Sequence, residues 1–234
     1  MSIKIFYDGA IYGEHDKHPN VVGFTTNTSY VADAIGEGVS YREFAYSALE
    51  CAAGRPISFQ VVSKTLEGIN KDAREILTWG ENVYVKIPIV TALGESSVPI
   101  IQALHNEGKK VNVTTVYTTE QIDSLSEIFN ATTPTIVSIF AGGISDTGII
   151  PDNHVRYAVK VFEHLNNVEV LWAGCQRLVS IKEAELCGCD IVTVPGDLLR
   201  KTERFGIGLH QASVAKSKLF FTDAANLCIP DSLL

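Results

Sequence analysis

Apolar positions along this chain of 234 residues fall into short blocks rich in β-branched and aromatic side chains. IKIFY (3–7), VVGFTT (21–26), ISFQVV (57–62), NVYVKIPIV (82–90), KVNVTTVY (110–117), PTIVSIF (134–140), VEVLWAG (168–174) and DIVTV (190–194) each have the length and make-up of a strand. Most are apolar nearly throughout, as a strand covered on both faces must be. Between them the period lengthens to that of a helix. KTLEGINKDAREILTWG (64–80) sets Leu66, Ile69, Ala73, Ile76 and Leu77 on one face, and SSVPIIQALHNEG (96–108) closes on Gly108, where a helix C-cap belongs.

Strands alternating with helices predict a parallel sheet with helical cover, and eight such units predict a closed α/β fold, the (β/α)8 TIM barrel, as a single domain over residues 1–234. An open doubly wound sheet is the competing arrangement, but it usually carries a GxGxxG loop after an early strand, and none stands there. No Pro/Gly/Ser-rich linker divides the chain. Residues 205–234 lie beyond the eighth strand and read as an additional C-terminal helix, with GIGLH (206–210) leading into it. Such an extension suits packing on a neighbouring subunit.

A formal net charge of -8 argues against nucleic acid or an anionic membrane as partner, since both are bound through concentrated Lys and Arg. A small phosphorylated molecule stays compatible, because two or three local cations suffice. No apolar run approaches the about 20 residues of a bilayer span. The start, MSIKIFYDGA, is unlike a secretory leader, so a cytoplasmic location is expected. Five cysteines without CxxC spacing suggest reduced thiols, with no zinc site and no disulfide framework. His15 and His18 in HDKH have helical ligand spacing but lack a third ligand, Cys187 and Cys189 read as small buried residues, and GGISDTG (142–148) reads as a turn.

Catalytic groups of such a barrel sit at the C-terminal strand ends. Polar residues gather there: Asp8 on strand one, Thr25, Thr26 and Asn27 on strand two, Gln60 on three, Lys86 on four, and Asn112 and Thr114 on five. Taken singly, each has an ordinary explanation. Lys86 can run its stem along the sheet to solvent, Asp8 can serve a turn before Gly9, Asn27 can bond its own backbone, and Thr114 suits any strand. Their shared location changes the reading. A lysine enclosed by apolar strands loses hydration, its pKa falls, and the neutral amine becomes a Schiff-base nucleophile.

These motifs resemble the transaldolase family, in particular its short branch that includes the fructose-6-phosphate aldolases. IFYDGA resembles the family's "hFhDTA", GFTTNTS its "GVTTNPS", VKIPI its lysine motif "VKIPh", and NVTTVYT its "NVTLVFS", while GCDIVTVP resembles its last strand. The resemblance implies transfer of a dihydroxyacetone unit between a ketose and an aldose, or their phosphates, through a Schiff base on Lys86, with no metal or organic cofactor. Asp8 then shuttles protons, Gln60 and Thr114 hold the catalytic water, and Asn27 and Asn112 bond donor hydroxyls beside Thr26. Phe140 corresponds to an aromatic position late in strand six.

Glutamine at position 60 is typical of the aldolases, which release free dihydroxyacetone, whereas Phe140 and Asn112 lean to the transferases. Where the family carries phosphate-binding groups, this chain has Gly143, Gly174 and Gln176, with Arg177 next door as a substitute and Trp172 set to narrow the pocket. A barrel that binds a sugar or a protein partner without catalysis is the alternative of another class. By resemblance the partner is a small sugar or sugar phosphate and the assembly a homo-oligomer, a pentamer or decamer.

Overall fold

The computed structural model describes residues 3–10, 18–36, 38–224 and 227. His15, Cys228 and the remaining positions of the expected C-terminal extension, 225–226 and 228–234, lie outside the described residues. Eight parallel strands close a barrel in chain order: β1 (Lys4–Asp8), β2 (Val21–Thr25), β3 (Ile57–Gln60), β4 (Val83–Pro88), β5 (Val111–Val116), β6 (Thr135–Ile139), β7 (Val168–Trp172) and β8 (Ile191–Pro195). β8 pairs back onto β1, so the sheet has no free edge. This is the expected (β/α)8 TIM barrel.

Helices alternate with the strands: α1 (Thr28–Ala34) and α2 (Tyr41–Ala52) after β2, α3 (Leu66–Ile76) after β3, α4 (Val98–Asn106) after β4, and α5 (Thr119–Ser126) after β5. α6 (Ala141–Asp146) and α7 (Asp152–Phe162) follow β6, α8 (Ser180–Cys187) follows β7, and α9 (Gly196–Lys201) follows β8. Their starts are set by caps the sequence carries. Thr65 accepts from the Gly68 N–H ahead of α3, and Ser40 with Glu43 and Thr118 with Gln121 form capping boxes on α2 and α5. α3 buries Ile69, Ala73 and Ile76, the stripe its period predicts.

The β-rich runs outlast the ladders. Beyond Gln60 the Val62 and Ser63 N–H groups donate to the Asp72 carboxylate at 3.0 and 2.7 Å, so the chain leaves the sheet there. β4 likewise stops at Pro88, past which the run to Val90 bends into a loop.

Period two divides each strand between the barrel axis and the helices. Phe6, Tyr84, Ile136, Leu171, Ala173 and Ile191 pack together inside the barrel, and Phe140 packs against them. Gly23 lets the Phe6 ring lie over β2, since a Cβ there would strike it. Leu171 and Ala173 point inward, so Trp172 between them faces the helices and does not narrow the pocket.

A second correction concerns residues 142–148. The first part of GGISDTG is helical, forming α6, and only the end turns, with Gly148 at φ 83°. Here glycine serves close packing. A side chain on Gly142 would collide with the Gly174 carbonyl, and Gly174 itself sits at φ 73°.

The chain divides into two compact units, Met1–Leu199 and Arg200–Leu234. The second contains the additional C-terminal helix, α10 (Leu209–Ala224), in which no residue is buried. Among the described residues, no helix is long and apolar enough to cross a membrane.

Candidate active site

Lys86 stands late in β4, beside Gln60 of β3 and Asn112 of β5 in the strand register. Its side chain is 7% exposed, and its Nζ donates to the Thr26 carbonyl at 2.9 Å. Burial holds the amine below the ordinary lysine pKa, while the charge of Asp8 partly opposes that fall. Asp8, the last residue of β1, is the counterpart. Burial pushes its carboxyl above the usual range, against the opposing pull of Lys86 and of the Thr25 hydroxyl. Desolvation is the larger influence on both, so each group leans toward its uncharged form while facing the other.

A short relay supports the carboxylate. Thr25 Oγ1 donates to Asp8 Oδ1 at 2.7 Å and lies 2.5 Å from Thr193 Oγ1. Since Thr25 has one hydroxyl proton and gives it to Asp8, Thr193 is the donor to Thr25. Tyr30 of α1 belongs to the same neighbourhood. Burial and the nearby Asp8 charge push its phenol up to about 12.

Asn112 is clamped at both ends of its amide. Its Nδ2 donates to Ser58 Oγ at 3.0 Å, and Ser138 Oγ donates to its Oδ1 at 2.7 Å. All three residues are buried. One amide N–H and the Ser58 proton stay available to a ligand, in positions fixed by three strands.

The remaining candidates are placed as follows. Asn27 caps α1, its Oδ1 accepting from the Tyr30 N–H at 3.0 Å, which leaves its two amide N–H groups. Thr26 serves Lys86 through its carbonyl, while its side chain lies beside the Tyr41 phenol on the helical face. Thr114 is buried on the same side of β5 as Asn112 and pairs with Pro88. Gln60 is half-buried at the end of β3. Phe140 is half-buried after β6 and stacks on Tyr117, ring centroids 5.5 Å apart. Arg177 stands apart: 67% exposed, its Nη2 bonds both Glu183 carboxylate oxygens at 2.9 and 3.1 Å.

The sequence reading passed over Ser58, Ser138, Thr193, Tyr30 and Tyr117. Three of them were within reach, because Ser58 shares the face of Gln60, Ser138 that of Phe140, and Thr193 that of Ile191. Tyr117 was hidden by a β-bulge. From Val113 to Val116 the chain spends three steps against two on β6, Val137 to Ile139. The extra residue, Thr115 at φ 56°, reverses the alternation, so Val116 is fully buried and Tyr117 turns onto Phe140 at the barrel mouth.

A cavity of about 580 Å³ lies at the opposite, N-terminal end, where Lys4, Glu169 and Asp190 line it. It is remote from Lys86 and shares none of these groups.

Comparison with known proteins agrees with the barrel. The sequence profile of the family described as Transaldolase/Fructose-6-phosphate aldolase matches residues 5–229. A protein of Caldicellulosiruptor saccharolyticus named "Probable transaldolase" is 28% identical over 210 residues, which cover 88% of this chain and 91% of that one. One of the same name from Methanococcus maripaludis is 30% identical over 182 residues, covering 77% and 79%. Among solved structures, 3-hexulose-6-phosphate synthase from Salmonella typhimurium superposes with a TM-score of 0.58 at 17% identity, over 82% of this chain and 89% of that one, a likeness of fold alone. With its profile running from the second residue of β1 into the C-terminal unit, the chain belongs to the transaldolase/fructose-6-phosphate aldolase family.

Proposed function

We propose that the chain is a class I, Schiff-base enzyme that moves a dihydroxyacetone unit from a ketose to an aldehyde acceptor. The observation that carries this is the buried Lys86 amine, desolvated toward its neutral form and facing the Asp8 carboxyl. Neutral Lys86 attacks the ketone carbon, and loss of water gives an iminium. The iminium draws the electrons of the adjacent carbon–carbon bond as it breaks, and Asp8 accepts the proton of the departing aldehyde's hydroxyl. The Asp8 carboxyl, raised by burial, is suited to keep that proton and return it when the acceptor adds. Asn112, Ser58 and Asn27 offer donors to the hydroxyls of the retained three-carbon unit, with Gln60 and Thr114 placed for the water that is released and taken back.

The test is borohydride trapping. Incubation with dihydroxyacetone, reduction and mass spectrometry should give an adduct on Lys86, and Lys86→Met should give none. Absence of the adduct in the parent protein defeats the proposal and favours a non-catalytic sugar-binding barrel. A second reading, cleavage with release of free dihydroxyacetone, is favoured by the amide of Gln60 beside Lys86. Turnover without an acceptor aldehyde would select it.

The same reading includes a cytoplasmic location and a homo-oligomer of five or ten copies. In support of assembly, α10 leaves Leu209, Phe220 and Phe221 exposed, more apolar surface than a lone helix ordinarily shows to water. Sedimentation of the purified chain as a monomer would remove that part.

A further inference from the structure

We infer that the part of the substrate lying over the ends of β5, β6 and β7 is an uncharged polyol rather than a phosphate ester. The inference rests on Lys86 anchoring the substrate, as proposed above. A phosphate monoester carries about two negative charges at neutral pH and calls for guanidinium, ammonium or several free N–H donors. The segments after β6 and β7, residues 140–151 and 173–180, contain one cation, Arg177. That cation is already bonded through one nitrogen to both oxygens of Glu183. Gln176, instead of aiming donors at a ligand, gives them to the Asp146 carboxylate at 3.0 and 3.1 Å. The Gly142 N–H is spent on the Ala173 carbonyl at 3.1 Å.

Gly143 offers no route for a longer side chain. A Cβ there would collide with the Tyr117 hydroxyl and the Phe140 ring, so the stacked aromatic pair fills the space a cationic side chain would cross. The Tyr117 phenol is pushed up by burial and by the Asp146 charge, which keeps it neutral. What this side of the mouth presents is therefore a stacked ring pair, a phenol and a carboxylate. Rings take the C–H faces of a sugar, and the phenol and carboxylate accept from its hydroxyls. A phosphate placed there meets Asp146 with no uncommitted cation from these two segments. The structure assigns Asp146 and Tyr117 as specificity-determining residues of the Lys86 site.

The test compares kcat/KM for fructose and fructose 6-phosphate as donors, and for glyceraldehyde and glyceraldehyde 3-phosphate as acceptors. The unphosphorylated member of each pair should be favoured by about tenfold, the effect of one like-charge contact moderated by water. Asp146→Asn and Gln176→Arg should each shift the ratio toward the phosphorylated member by about threefold or more. Equal constants, a preference for phosphate in the parent protein, or a ratio unmoved by both substitutions overturns the inference. Should either variant fold poorly, the parent ratio alone decides. Dihydroxyacetone lacks the distal part of the substrate that would lie over the loops after β6 and β7, so its trapping on Lys86 reports on the chemistry separately. An adduct together with a preference for phosphate would sink this inference and leave the Schiff base standing.

Discussion

The two sides of the barrel mouth are built differently. Around β1 to β5, with Thr193 of β8 and Ser138 of β6, the polar groups sit on strands, are largely buried, and bond each other: Thr193 to Thr25 to Asp8, and Ser138 to Asn112 to Ser58. Over β5 to β7 the polar and charged groups sit on loops and short helices, are exposed or half-buried, and are engaged in local pairs, Gln176 with Asp146 and Arg177 with Glu183. On the first side strand register fixes position, and desolvation shifts the ionisation of Lys86 and Asp8. On the second side water screens the charges and register says little. Under the proposed mechanism the step that requires a neutral amine takes place on the first side. The proposed discrimination between substrates falls on the second, where a change at exposed Asp146 or Gln176 costs the barrel little.

The sharpest way to break this comparison is at Asp8. Asp8→Asn should lower turnover by about 10²- to 10⁴-fold, the range for a group that moves protons in the transition state. It should also move the pH dependence of trapping in a definite sense. The Asp8 charge raises the Lys86 pKa against the larger effect of burial. Removing that charge lets the pKa fall further, so the rise of adduct yield with pH should move to lower pH. A profile left in place, or moved upward, would show that the two buried groups are not coupled.

A smaller effect is expected on the second side. Gly143→Ala should destabilise the barrel by about 1–3 kcal/mol, the cost of forcing an atom into a filled site. The obstruction is specific, since the new Cβ meets Tyr117 and Phe140. Tyr117→Ala removes the nearer contact and opens space into which the Phe140 ring can shift, so Gly143→Ala should cost clearly less in that background by urea unfolding. Equal costs in both backgrounds would mean that the aromatic pair does not fill the space over Gly143.

The same contrast explains what could be read from the sequence. The strand cores and the alternating helices were legible, because β-branched runs and periods of three and four state which face is buried. Asp8, Lys86, Asn112 and Thr114 could be collected at one end of the barrel because strand-end position and alternation suffice to gather them. Where alternation was not counted, the reading went astray: Trp172 was aimed inward although Leu171 and Ala173 take that direction. Thr26 was given a substrate contact, yet by alternation with Thr25 its hydroxyl faces the helices and its carbonyl meets Lys86. The second side was hidden for another reason. The glycine pair 142–143 carries no side chain to declare a helix, and the Arg177–Glu183 pair depends on how a loop folds back on α8.

Thr115 links the two sides and gives the smallest and most informative test. A β-branched residue at φ 56° strains the backbone by about 1–2 kcal/mol, and its hydroxyl is buried without a partner. Both penalties disappear in Thr115→Gly, while glycine returns about 0.5–1 kcal/mol as lost chain freedom. The net expectation is a gain of about 1 kcal/mol in urea unfolding, with the bulge and the Tyr117–Phe140 stack kept, so that the sugar preference is unchanged. Deleting Thr115 is the companion experiment. With the extra residue gone and the three-against-two count removed, the alternation runs on from inward Thr114 to outward Val116 and inward Tyr117, the directions they already take. The deletion should therefore also leave the substrate preference unchanged, and a deletion that altered the preference would show that the bulge itself, beyond the direction of Tyr117, shapes the mouth.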